Sequence, residues 1–207
     1  MSRAGGREPA GERAGRGLPA GVSLVEVTLA LALTATVAAM SAPLLASSVD
    51  AGRARQAAQF LAAECRRARM EAVARSATSA LVFAQAAGRW RVRRCVDGNG
   101  NGVRRTDILA GRDECAAAAV DVGELFAGVA LAIDPALPDP DNGAGSADAV
   151  RFGSSDIASF TPNGTATAGT VYVRSAGGAQ YAVRVAGVTG RTRVLRFDPG
   201  RHEWLEA

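Results

Sequence analysis

The sequence contains no lysine; every basic side chain except its single histidine is an arginine. It also has only three cysteines and a 5% share of aromatic residues. A lone histidine, His202, has no second histidine for zinc spacing and no serine or cysteine in a nucleophile arrangement. No carboxylate pair stands out either, so the reading is against an enzyme and His202 reads as a surface residue. With few aromatics, aliphatic side chains must fill the core. Hydrophobic residues at 48% of a 207-residue chain are enough for one. Arginine replaces a compact ammonium with a planar fork that grips phosphate or carboxylate in two places. A net charge of +4 permits nucleic acid or anionic lipid as a partner without demanding either.

What is present divides the chain. Residues 1–21 are rich in Gly, Arg, Ala and Glu, without apolar period, and read as unstructured. The character then changes abruptly. Residues 22–46 are nearly continuous apolar sequence, and 27–46 alone is long enough to cross a hydrocarbon layer as a helix. Glu26 breaks the run near its start. A carboxylate within a bilayer costs about 3 kcal/mol or more and needs a partner, unless it stays wet at the interface. A cleaved secretory signal would put Pro43 beside the cut after Ala42, which is unfavourable. An ordinary signal anchor fits the arginines that precede the run.

A third reading rests on Gly21 followed by Val22-Ser23-Leu24-Val25-Glu26. This resembles the type III signal of type IV pilins and pseudopilins. The resemblance implies cleavage after Gly21 by a prepilin peptidase and methylation of the new N-terminus at Val22, where the family usually has phenylalanine. It implies Glu26 as the family's glutamate at the fifth mature position and Pro43 as its helix-kinking proline. Electrostatics gives the glutamate a purpose. The ammonium at Val22 of one subunit can neutralise Glu26 of the next, and such a pair is favourable in low dielectric only when both charges meet.

The helix is expected to continue past the apolar run, since Ala57, Phe60, Leu61, Cys65, Ala68 and Ala72 recur at three- and four-residue spacing. Arg53, Arg66 and Arg69 fall off that face. Glu64 interrupts it and is expected to pair with a nearby arginine. From residue 79 onward short apolar runs alternate with turns, and the 24 glycines suit such a body. Residues 80–84 and 90–96 read as a hairpin turning near Ala87-Gly88. Further strands are expected at 129–133, 149–152, 170–174, 181–185 and 193–197, with a loop at 135–146. The fold expected is α+β: a long N-terminal α-helix, half transmembrane and half amphipathic, packed on an antiparallel β-sheet or two-sheet sandwich. The domain reading is 1–21 leader, 22–48 transmembrane or filament-core helix, 49–76 amphipathic continuation, and 77–207 globular β-rich domain.

Phe160-Thr161-Pro162-Asn163-Gly164-Thr165, the runs at 170–174 and 181–185, Gly190-Arg191-Thr192-Arg193, and the helical stretch at 65–73 together resemble the GspH/FimT pseudopilin domain. That implies a minor pseudopilin or pilin of a type II secretion pseudopilus or type IV pilus, acting in filament initiation or at the tip. It further implies other pilins, prepilin peptidase and the inner membrane as partners. The body would then lie in the periplasm on a single-pass anchor, and in a filament after assembly. In FimT-like minor pilins a GRxR motif is linked to DNA binding, so Arg191 and Arg193 become candidate phosphate contacts, with Arg184, Arg196 and Arg201 as possible extensions. The plainer alternative is a glycine turn with solvated arginines.

Two other features carry weighed readings. An exported domain can pair two of the cysteines, and Cys95 with Cys115 is favoured because they flank a Gly/Asn-rich segment. Three buried thiols are the alternative, and Cys65 reads as a small apolar residue of the helix. Between the pair, Asp97, Asn99 and Asn101 alternate with glycine as in calcium loops, but Ile108 stands where the closing glutamate belongs and two arginines oppose a cation. An Asn/Gly turn is therefore preferred and no cofactor is expected. A signal-anchored periplasmic calcium module remains the alternative from another class.

Overall fold

The computed structural model describes residues 21–140 and 147–207, with the side chains of 42–44 left aside. The expectation of a leader at 1–21 therefore lies outside the described residues except at Gly21. So do the side chain of Pro43 and the 141–146 part of the loop. The chain falls into two compact units, Met1–Pro43 and Leu44–Ala207. The first helix, α1 (Leu24–Arg75), begins in the one and ends in the other. It starts with an acid, Glu26, in its first turn and ends with Arg75 in its last, which suits the helix dipole at both ends.

In the second unit, the body of the protein, α1 is covered by β-structure. The spacing seen in the sequence is the packing face: Ala57, Leu61, Cys65, Ala68 and Ala72 are buried, joined by Ala54, Ala58 and Ala62. Phe60 is half-buried at its margin. Six of these eight buried side chains are alanine, which favours helix and holds the rod close to what covers it. Two antiparallel sheets cover it. The first has the order β3 (Glu114–Cys115), β2 (Arg89–Val96), β1 (Ser79–Ala86), β7 (Ile157–Phe160), with β4 (Val120–Asp121) also on β2. The second has the order β11 (Glu203–Glu206), β10 (Thr192–Asp198), β9 (Gln180–Val185), β8 (Gly169–Ser175), β5 (Val129–Ala130), with β6 (Val150–Arg151) also on β8. Two short helices, α2 (Arg105–Leu109) and α3 (Val122–Leu125), lie in the connections.

Alternation along the strands decides what meets α1. Leu81 and Phe83 of β1, Val92 of β2, Val171 and Val173 of β8, and Tyr181, Val183 and Val185 of β9 share one core with the helix alanines. The side chains between them form two smaller clusters on the outer faces: Ala80, Val82 and Cys95 on the first sheet, Tyr172 and Ala182 on the second. The β1–β2 hairpin turns at Ala87 and Gly88, both at positive φ as a two-residue hairpin turn requires. The strands expected at 170–174, 181–185 and 193–197 are each present and slightly longer. Those expected at 129–133 and 149–152 shrink to two residues, because each finds a partner only on β8 over that length.

Polar links fix the helix to the sheets. Arg94 of β2 reaches across to Glu64 at 2.7 Å and Glu71 at 2.8 Å on α1, and Glu64 also holds Arg67 at 2.7 Å. The expected arginine partner of Glu64 is thus two arginines, one of them on another element. Asp50 near the start of this half accepts the Gly177 N–H at 2.9 Å from the β8–β9 turn.

Candidate functional site

The first unit presents one side of the candidate machinery. Its large apolar residues are exposed: Val22, just before α1, is 71% and Leu24 80% accessible, and Leu29, Leu31, Leu33, Val37 and Met40 are open likewise. The stretch is long and apolar enough to cross a membrane, and none of it is buried within the chain. Its hydroxyls are hidden along the helix itself. Thr28 donates to the Val25 carbonyl, Thr34 to Ala30, Thr36 to Ala32 and Ser41 to Val37, at 2.7–3.0 Å. Such back-bonding removes the need for water, as hydrocarbon surroundings demand. Glu26 is exposed in the first turn, and no described residue forms an ion pair with it.

The second candidate is built by two turns of the body. Gly190 has φ +60, and a Cβ there would lie 2.7 Å from the Gly164 carbonyl and 3.2 Å from Arg69 Nε, so the position requires glycine. Gly164 belongs to the Thr161–Gly164 turn, closed by its N–H on the Thr161 carbonyl at 3.0 Å. The structure thus brings the Phe160–Thr165 motif against Gly190, with Arg69 of α1 beside both. The turn itself is closed twice: the Gly190 N–H donates to Ala186 and the Ala186 N–H to Arg191.

From this turn Arg191 and Arg193 project into solvent, and with Arg184, Ala186 and Thr189 they line an open cleft of about 410 Å³. Arg193 lies directly opposite Arg184 on β9. Arg196 does not join them: three residues along the same strand it takes the other face, in a separate cleft with Arg55 and Glu206. Nor does Arg201, which sits in the β10–β11 turn 3.7 Å from Glu203. Of the three arginines named as extensions only Arg184 joins Arg191 and Arg193, and Arg69 lies nearby as an addition that its place on α1 concealed. His202 packs edge-on to Phe197, and Trp204 is a packing residue whose indole N–H donates to the Pro138 carbonyl at 2.8 Å.

The segment between the cysteines is held by carboxylates. Cys95 and Cys115 are opposite each other on β2 and β3 and are joined by a disulfide, while Cys65 is a buried free thiol. Burial pushes the Cys65 thiol up to about 12. Asp97 accepts the N–H groups of Asn99, Gly100 and Gly102 at 3.0, 2.8 and 2.6 Å. Burial pushes its carboxyl up, but the backbone N–H groups of Gly102, Asn99, Gly100 and Asn101 together outweigh this and hold it below its ordinary value. Asp113 takes the N–H groups of Gly98 and Arg104. Asp107 takes the Arg112 guanidinium and then the Asn101 amide, which hold its carboxyl down as well. Of the groups considered for calcium, the Asp97 and Asn99 oxygens accept backbone N–H groups of the loop, and Asn101 donates its side-chain amide to Asp107. Among the described residues no cluster of three or more His, Cys, Asp or Glu could hold a metal ion.

A family model described as type II transport protein GspH matches residues 57–190, well over half of the chain. The match takes in α1 from Ala57 onward, the Phe160–Thr165 turn and Gly190; it stops just short of Arg191 and begins after the exposed apolar helix. No curated protein and no solved structure matches the chain.

Proposed function

Since the chain belongs to the GspH family of type II transport proteins, a structural rather than an enzymatic family, we propose that it is a minor pseudopilin. It is made as a precursor, cut after Gly21 by a prepilin peptidase, and built through α1 into a filament that serves protein secretion at its initiation or tip. The observation that carries this reading is the exposed apolar half of α1. Its large side chains would leave on the order of 20 kcal/mol of hydrophobic free energy ungained in water. Lipid before assembly and neighbouring helices after it supply the missing surroundings. On this reading the anchor lies in the inner membrane and the body on its periplasmic side. Glu26 then has a role that solvent exposure does not give it: it meets the new ammonium of Val22 on an adjacent subunit, where low dielectric strengthens the attraction. Mass spectrometry of the mature protein is expected to find a chain starting at Val22. Co-purification of Glu26→Ala with the other pseudopilins is expected to fall at least about tenfold, the loss typical of leaving one charge of a desolvated pair uncompensated. A retained Met1, or wild-type recovery of the variant, overturns the reading.

One observation favours a second role on the same scaffold, DNA capture in the manner of FimT-like minor pilins. Arg191 and Arg193 are both exposed and line one open cleft with Arg184, an arrangement suited to holding adjacent phosphates. Gel-shift titration is expected to show binding whose salt slope falls by about two when Arg191→Ala and Arg193→Ala are combined. Equal affinity of the double variant removes this role.

A further inference from the structure

The outer face of the first sheet, opposite α1, carries a groove that neither the family nor the assembly reading uses. Val82 and Ala84 of β1 form its floor, and Ile108 and Leu109 of α2 form one wall. Leu109 is 88% exposed, an apolar side chain left at the rim. Three arginines enter the same groove: Arg91 and Arg93 from β2 and Arg105 from α2. Arg91 and Arg93 are two apart on one strand, hence on one face and about 7 Å from each other along it.

No carboxylate lines the groove beside these three charges. Arg105 donates to the Phe83 carbonyl at 2.7 Å and to the Ser155 carbonyl at 2.8 Å, bonds that orient the guanidinium and leave its charge. The carboxylate it senses, Asp156, does not line the groove. The Nε–H of Arg91 is buried without an acceptor among the described residues, a cost normally met by a partner. Asp121, which pairs with Arg91 in strand register, is 3.1 Å from Arg89 instead, and Glu124 is 3.2 Å from that same arginine. The lining therefore combines apolar surface with three cations and no carboxylate.

We infer that this groove binds an acidic residue flanked by bulky apolar ones on a partner polypeptide. Arginine forks hold carboxylates with directed, charge-assisted hydrogen bonds, and the orphaned Arg91 N–H gains an acceptor. The floor and Leu109 receive the flanking apolar side chains. The volume, about 290 Å³, is at the small end of ligand pockets and holds a few side chains rather than a whole lipid. None of these residues lies on α1, so the inference stands apart from the assembly reading and from the Arg191 cleft.

The test uses the full-length protein in phosphatidylcholine nanodiscs and a fluorescein-labelled peptide of alternating leucine and glutamate, followed by anisotropy. Saturable binding is expected. Replacing glutamate by glutamine, or leucine by serine, weakens it about tenfold or more, as does Arg93→Gln in the protein. Leu109→Glu, at a side chain too exposed to disturb folding, abolishes binding by setting a carboxylate at the rim. The Arg191→Ala/Arg193→Ala variant binds as wild type does, which separates the groove from general attraction to a basic protein. The inference fails if the peptide does not saturate, if the glutamine peptide binds equally, or if Leu109→Glu has no effect. It fails too if decanoate binds where the peptide does not, since the site would then be one for a small amphiphile.

Discussion

Replacing Asp97 by asparagine tests how the inter-cysteine loop is held. In the native loop one carboxylate oxygen accepts from Asn99 and Gly100, and the other from Gly102 at 2.6 Å. Asparagine keeps one acceptor oxygen and turns an NH₂ toward the remaining N–H. A charge-assisted bond is lost and a donor is left facing a donor, together worth about 3 kcal/mol at pH 7. The pH dependence has a defined sign. The folded-state carboxyl of Asp97 lies below its ordinary value of 3.8. Its contribution is therefore complete above that value and is lost as pH falls through the lower folded-state one. Urea unfolding of wild type and Asp97→Asn, followed by the fluorescence of Trp90 and Trp204 in detergent, is expected to show midpoints about 1.5 M apart at pH 7. The gap stays the same at pH 5 and narrows only as the solution is acidified below about 4. A gap that is as wide at pH 2.5, or that opens on acidification, refutes an electrostatic role and points to shape alone.

Two further predictions concern the cysteines. Reducing the Cys95–Cys115 bond, which spans a sequence separation of 20, is expected to cost about 3 kcal/mol through loop entropy, and unchanged unfolding midpoints with and without dithiothreitol exclude this. Cys65, buried and with its thiol pushed up to about 12, is expected to resist iodoacetamide at pH 8 until the body unfolds; labelling of the native protein within minutes contradicts the packing described.

The sequence disclosed most where a period is sustained. The buried face of α1 repeats often enough for Ala57, Leu61, Cys65 and Ala68 to be read directly, and the hairpin was marked by glycine at its turn. It disclosed least where a strand exists only through its neighbours. β7 is four residues, Ile157–Phe160, of which three are buried, so no alternation marks it. The two-residue strands β3 to β6 owe their definition wholly to partners. The candidate sites follow the same division. Arg191 and Arg193 stand in a local motif and were legible. Arg69 meets Gly190 only after the chain has folded back, and Arg196 is set apart by a strand parity that a list of nearby arginines cannot convey. The groove of Arg91, Arg93 and Arg105 was hidden for the same reason: its arginines come from two elements, and residues 90–96 by themselves read only as one strand of a hairpin.

The alanine seam of α1 has a consequence for how this protein can change. A methyl group is the smallest side chain that still repels water, so the seam already occupies the bottom of its size range. Apart from glycine, which weakens a helix, every replacement at Ala57, Ala58, Ala62 or Ala68 adds volume to a close-packed seam. Variation in the body is thereby steered to the strands' outward positions, where the Arg191 cleft and the arginine-rimmed groove lie. New specificities can accumulate on that skin while the spine beneath it stays unaltered.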